Sequence, residues 1–253
     1  MDKYLPKIVG PALVLGAGGI GSEIVRALAA YGATDIAFTY GKNKDSAEAL
    51  KAETEMAGVR THIGSFDPKN TEALSAFLDE AAKVFGEEIT TVVNTVGISP
   101  NTPLEAQTLE EWQQVFEVNV FGSFLSSRFI ASRMKERGTH GSITLITSTN
   151  GINSQSSISA HYDSSKAAQA LMMRILAEEY APAGIRINGV APGWINTKMN
   201  DTLPEDERAK EMAKIWSGRF ADPAEVAAFV AFVASTGGSY IYGQNLMIDG
   251  GYR

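Results

Sequence analysis

The chain has 253 residues, 44% of them hydrophobic, no cysteine, and a formal net charge of −7 with a pI near 5.1. That length and apolar content suffice for one substantial core, and no Pro-, Ser- or charge-rich linker divides it, so one domain over residues 1–253 is expected. The acidic balance argues against nucleic acid or an anionic membrane as partner, and the lack of cysteine excludes disulfides, thiolate catalysis and Cys-based metal sites.

Of the histidines, His62, His140 and His161 have no metal-ligand spacing, and no metal is expected. Lys3 and Lys7 precede the apolar run 8–17, but Pro11 interrupts it and its small terminal residues are glycines that lead into an amphipathic helix. It therefore does not read as a signal peptide, and no stretch approaches transmembrane length; a cytoplasmic protein is the expectation.

In chain order, Pro11 to Leu15 is a short apolar run that stops at glycines, as a buried parallel strand does. A helix follows, with Ile20, Ile24, Val25, Leu28 and Tyr31 at helical spacing and Ser22, Glu23 and Arg26 opposite. The alternation repeats as strand 36–40, helix 44–56, strand 60–63, helix 71–85 and strand 90–94. A long helix over about 109–135 leads to strand 142–147, then to a helix carrying Tyr162. Strand 186–190, a helix at 223–234 and strand 246–249 complete the series. Strands alternating with helices predict an α/β fold: a single-domain, doubly wound parallel sheet of Rossmann type with helices on both faces and ligands at the carboxyl ends of the strands. Residues 194–219 interrupt the rhythm with Met199, Met212, Ile215 and Trp216 among many charges, and are expected to form a mobile lid over a substrate.

Gly16-Ala17-Gly18-Gly19-Ile20-Gly21 joins the first strand to the first helix. In that context G-x-G-x-x-G predicts a dinucleotide site, since the glycines permit a tight turn and the helix N-terminus offers N–H groups to phosphates. Tyr162 and Lys166 are four residues apart at a helix start, on one face, where an ammonium and the helix N-terminus would favour the phenolate. The second strand ends Phe38-Thr39-Tyr40-Gly41-Lys42-Asn43-Lys44, without the acid that takes a ribose 2′-hydroxyl in NAD-using folds, so NADP(H) is expected, with Lys42 as the main discriminator. Asp35 lies at the wrong end of that strand.

With these motifs together, the chain resembles a short-chain dehydrogenase/reductase of the common single-domain type over nearly its whole length. Asn94-Thr95-Val96-Gly97 sits where that family has Asn-Asn-Ala-Gly, Asn119 matches the asparagine of the long helix, and Ser148, three residues before Gly151, matches the serine after the fifth strand. Pro192-Gly193 with Thr197 matches the segment over the nicotinamide, and Tyr242-Gly243-Gln244 and Asp249-Gly250-Gly251 are similar to signatures near the family's C-terminus. The resemblance implies hydride transfer between NADP(H) and a carbonyl or alcohol carbon, with Tyr162 as acid/base, Ser148 as the second contact to the reacting oxygen, Lys166 on the tyrosine and ribose, and Asn119 in a proton relay. It implies cofactor contacts by Gly16, Gly18, Gly19, Ile20, Gly21, Tyr40, Lys42, Asn94, Gly97, Tyr162, Lys166, Pro192, Gly193, Ile195 and Thr197.

Four departures from the family pattern stand out. Leu15 replaces the opening threonine and the turn from Gly16 to Gly19 is one residue short; Gly64 and Ser65 stand near the usual aspartate of the third strand; Thr95 and Val96 replace Asn and Ala. Ser148 precedes Tyr162 by fourteen residues where thirteen is usual, which gives Thr149 the usual count, but the intact spacing to Gly151 favours Ser148.

A small-molecule substrate and a homo-oligomer, by resemblance a tetramer, are expected, because the helix after Lys166 is apolar nearly all round. The resembling proteins include 3-oxoacyl-(acyl-carrier-protein) reductases, an alternative function that the acidity of this chain disfavours, since such carriers are acidic and dock on basic patches. A dinucleotide-binding sensor without turnover would need the glycine turn but not Ser148, Tyr162 and Lys166 together. A serine hydrolase lacks its G-x-S-x-G elbow here.

Overall fold

The computed structural model describes residues 5–156, 158–197, 200, 203 and 205–253. Its strands are β1 (Ala12–Leu15), β2 (Asp35–Tyr40), β3 (Arg60–Ser65), β4 (Thr91–Asn94), β5 (Gly141–Ile146), β6 (Ile185–Pro192) and β7 (Asn245–Ile248). They form one parallel sheet in the order β3-β2-β1-β4-β5-β6-β7. Chain order reverses at β1, where Val14 lies between Phe38 of β2 and Val93 of β4. The carboxyl ends diverge there and leave a crevice.

Alternation along each strand fills both faces. Ala12 and Val14 pack with α1 (Ile20–Ala30), α2 (Lys44–Met56) and α8 (Pro223–Ala234), while Leu13 and Leu15 pack with α3 (Thr71–Phe85), α5 (Ser123–Glu136) and α6 (Ala160–Tyr180). These apolar helix faces are the periodicities seen in the sequence, and their ends are marked by caps: Asn70 accepts from the Ala73 N–H of α3, and Asp222 with Glu225 forms a capping box ahead of Pro223. α7 (Glu205–Ala213) lies in the segment after β6.

Two elements differ from expectation. The helix expected over 109–135 is α4 (Leu109–Phe116), then a π-helical turn over Glu117–Gly122, then α5. The wider turn frees backbone groups and carries Asn119 inward. β3 runs on to Ser65, and Gly64 has no side chain because the Phe77 ring lies 2.7 Å from where its Cβ would stand.

α6 is apolar on two sides, as its composition predicts: Met173, Leu176 and Ala177 are buried against the sheet, while Leu171 and Ile175 are about 60% exposed. No helix among the described residues is long and apolar enough to cross a membrane, and no cluster of His, Asp and Glu among them could hold a metal ion.

Candidate active site

A cleft of about 750 Å³ opens along the carboxyl ends of the strands, from the glycine turn and Lys42 at one end to Trp194 and Tyr252 at the other. The turn is fixed from both neighbouring strands. Thr39 accepts from the Gly16 N–H through its hydroxyl (3.0 Å) and from the Ala17 N–H through its carbonyl (2.7 Å). Across the sheet, the Thr95 hydroxyl lies 2.5 Å from the Gly16 carbonyl and 3.0 Å from that of Leu15, its one proton shared between them. A Cβ at Gly21 would stand 2.1 Å from the Gly16 carbonyl, whereas one at Gly18 or Gly19 would meet open space. The turn therefore presents bare backbone to the cleft, as close approach of a pyrophosphate requires.

Of the expected cofactor contacts, Gly16, Gly18, Gly19, Ile20, Tyr40, Lys42, Gly97, Tyr162, Lys166, Pro192, Gly193, Ile195 and Thr197 line this cleft. Gly21 and Asn94 do not. Gly21 backs the turn, and the Asn94 amide points into the core, where it accepts from the Val96 N–H (3.1 Å) and donates to Ser126 (3.3 Å), holding the strand end rather than facing a ligand. Asn119 is also behind the wall and fully buried. Its amide pairs with both backbone groups of Ile98 (2.8 and 2.9 Å) and donates to Ser165 (3.0 Å), closing the gap that the π turn opens.

Ser148 and Tyr162 both line the cleft, with the serine hydroxyl near enough to favour ionisation of the tyrosine. Thr149, the other candidate by count, donates its hydroxyl to the Pro192 carbonyl (3.3 Å) and is 3% exposed. Gly151 explains why the serine-to-glycine spacing matters: its φ is +80°, and a Cβ there would strike the Asp163 carbonyl at 2.2 Å. The loop carrying the additional residue is pinned by Asp163, whose carboxylate accepts from Asn150 (2.8 Å), Ser159 (2.9 Å) and the Ser156 N–H (2.7 Å).

Lys166 is 4% exposed and donates to the Ile146 carbonyl (2.8 Å) and to Gln169 Oε1 (3.0 Å), with its Nζ 5.6 Å from the centre of the Tyr162 ring. Burial pushes its pKa down to about 7, and burial also pushes Tyr162 up to about 12, against the opposing hydrogen bond from Ser148. Here the structure corrects the expectation that Lys166 holds the phenol toward its ionised form, because desolvation of both groups outweighs their proximity.

These features agree with what the chain is similar to. A family model described as enoyl-(acyl carrier protein) reductase matches residues 15–253. Among curated proteins, cis-4-hydroxycyclohexanecarboxylate dehydrogenase of Sinomonas cyclohexanicum is 35% identical, covering 95% of each chain. Galactitol 2-dehydrogenase (L-tagatose-forming) of Cereibacter sphaeroides is 36% identical over 95% of this chain and 94% of its own, and 3-oxoacyl-(acyl-carrier-protein) reductase of Escherichia coli is 36% identical over 95% and 96%. A solved short-chain dehydrogenase/reductase from Serratia marcescens superposes with a TM-score of 0.86 at 32% identity, covering 96% of this chain and 98% of the other. The chain belongs to the short-chain dehydrogenase/reductase family.

As a short-chain dehydrogenase/reductase it is an oxidoreductase of a family that typically binds a nicotinamide dinucleotide. The open space over Gly18 and Gly19 and the bare backbone of Gly97 are what such a group needs, so the residues present fit it. Sequence reasoning missed Thr95 as a lock on the shortened turn, Asp163 as the staple of the lengthened loop, Tyr252 as a wall residue, and Gln169. Only Gln169 left a signal: a large polar amide in register with Met173 and Leu176 on the buried face of α6.

Proposed function

We propose that the protein interconverts a small-molecule ketone and alcohol using NADP(H), with Tyr162 as proton donor and acceptor. The observation that carries this reading is that Ser148 and Tyr162 line one cleft together with the glycine turn and Lys166. When bound, a nicotinamide supplies or accepts the hydride. As a carbonyl carbon gains hydride its oxygen becomes an alkoxide; the Tyr162 hydroxyl gives it a proton, and the Ser148 hydroxyl gives a second hydrogen bond that strengthens as charge develops. A tyrosine that keeps its proton far above neutrality suits the reductive direction. Lys166, its Nζ 5.6 Å from the centre of the Tyr162 ring, holds a ribose hydroxyl beside the tyrosine. Asn119 keeps the π turn open beside Ile98 and Ser165, which supports a water-borne proton path to that lysine.

NADP(H) is supported by the adenosine end of the cleft, where Tyr40, Gly41 and Lys42 line the wall and no carboxylate does. Asp35 is at the opposite end of β2, paired with Arg60 at 2.5 Å. The test is turnover on a panel of ketones, sugars and acyl thioesters with each cofactor. A preference for NAD(H), or a cofactor ratio untouched by Lys42→Ala, would count against this assignment.

We read residues 194–219 as a lid; Met199, named above for it, lies outside the described residues. Glu211 ties α7 to the cleft wall: it accepts from Trp194 Nε1 (3.1 Å) and the Tyr252 hydroxyl (2.6 Å) and pairs with Lys214 (2.6 Å). Exposed Phe121, Leu171 and Ile175 support burial against a second copy, with a homotetramer as the expected assembly; a monomer in light scattering would refute it. A carrier-bound substrate is disfavoured, because Arg133 and Arg137 are paired with Asp79 and Glu88 and Lys135 with Glu179, which leaves Arg128, stacked over Phe124, as the remaining cation of that basic run.

A further inference from the structure

Lys166 lies among groups that accept hydrogen bonds but carry no charge. Earlier on α6 the ionisable side chains are His161, Tyr162 and Asp163; His161 packs on Trp112, and Asp163 is committed to Asn150, Ser156 and Ser159. The packed neighbours offer no carboxylate. Glu111 of α4 is held by Thr102 and Thr108 and Glu110 is exposed, Glu117 of the π turn pairs with Lys69, Arg128, Arg133 and Lys135 of α5 contact Phe124, Asp79, Glu88 and Glu179 while Glu136 is exposed, and Arg186 of β6 binds carbonyls near the far end of the sheet. Burial is accordingly the one cause acting on the lysine's titration.

The side chain bonded to the buried ammonium is Gln169. It is fully buried, one helical turn beyond Lys166, on the face of α6 that continues through Met173 and Leu176. An aliphatic side chain would fill such a position without cost, whereas a buried amide is tolerated when both of its ends are bonded. Both are: Oε1 accepts from Lys166 Nζ at 3.0 Å, and Nε2 donates to the Ser123 hydroxyl at 2.8 Å, at the start of α5 directly after the π turn. The lysine can only donate, so the amide has one orientation. Ile146 and Gln169 engage two of the three ammonium protons, which leaves one for the cleft.

We propose that Gln169, anchored by Ser123, is a positioning residue that keeps Lys166 charged and aims its remaining N–H into the cofactor site. This inference rests on the role assigned above to Lys166. It makes the amide, in the absence of any carboxylate, the group that decides at what pH the lysine can hold a ribose.

The test is the pH dependence of NADPH affinity, read by nicotinamide fluorescence, with no substrate needed. Wild type should bind more weakly as pH rises through the lysine titration. In Gln169→Leu the midpoint should fall by about half a pH unit or more, and in Gln169→Glu it should rise by at least as much, with affinity at low pH close to wild type. Ser123→Ala should give a smaller shift in the leucine direction, and together with Gln169→Glu it carries the test if the leucine variant fails to fold. Midpoints that stay put, or move the same way in the leucine and glutamate variants, would overturn the inference. Lys166→Met separates the two levels. A pH step that is missing in wild type or survives in Lys166→Met refutes the role of the lysine itself, while a step lost with the lysine but unmoved at Gln169 refutes this inference alone.

Discussion

Each end of the sheet buries a cation that has no carboxylate partner among the described residues, and the two are satisfied differently. Near the amino end of β6, Arg186 donates to the carbonyls of Val233 (3.0 Å), Gly238 (2.7 Å), Ala234 (3.0 Å) and Ser235 (3.1 Å), closing the C-terminus of α8 where the helix dipole favours positive charge. At the carboxyl ends, Lys166 has two acceptors and a proton to spare. Burial lowers the pKa of both, but a guanidinium so far from neutrality stays charged, while the lysine is brought to about 7. A buried charge whose terminal N–H groups are committed to carbonyls is scaffold, and one with a donor left beside a cleft is available for chemistry.

The largest effect that would sharpen this contrast is at the carboxyl end. Tyr162→Phe removes the proposed proton donor and should lower kcat by roughly 10²- to 10⁴-fold while leaving cofactor affinity and the unfolding midpoint near wild type; steady-state kinetics and thermal melts check both halves. At the other end, Arg186→Met strips the helix carbonyls of their donors and should cost about 3 kcal/mol in urea unfolding, with activity per folded molecule unchanged. An Arg186 variant that kept its stability but lost turnover would break the comparison.

The pH dependence of stability gives a further effect. Because the folded pKa of Lys166 is depressed, the unfolded chain binds more protons between about pH 7 and the ordinary lysine range, so this group makes stability rise with pH across that window. Lys166→Met should flatten the rise in a series of denaturant melts, and a difference that ran the other way would mean that the fold holds the lysine's proton more tightly than the unfolded chain does. The smallest effect is at α7. Burial opposes ionisation of Glu211, but hydrogen bonds from Lys214, Tyr252 and Trp194 outweigh it and hold the carboxyl below its usual range. Glu211→Gln should weaken that tie by about 1 kcal/mol and speed hydrogen exchange in α7 without changing exchange in β6.

Much of the architecture was legible because helices and strands impose different apolar periods. α2, α3 and α8 have the bounds their patterns suggested, and the glycine turn sits between β1 and α1. The break at Glu117–Gly122 was not legible, since π and α turns carry similar side-chain patterns and only the partners of Asn119 distinguish them. Asn94 shows the matching difficulty in the site. Its place in the chain suggested a ligand contact, but at the end of a strand one step in register decides which face an amide meets, and it meets Ser126.

The sequence by itself determined the alternation of strands and helices, the bare glycine backbone after β1 and the placing of Tyr162 and Lys166 on one helical face, because these depend on spacing and on local backbone preference. Tertiary structure alone decided the strand order that opens the cleft beside β1, the meeting of Ser148 with Tyr162 across fourteen residues, the lock of Thr95 on the turn, and the anchoring of Gln169 to Ser123. It also set the two pKa values against the expectation from proximity. Desolvation is the sum over everything that excludes water from a group, and a one-dimensional pattern carries no measure of that sum.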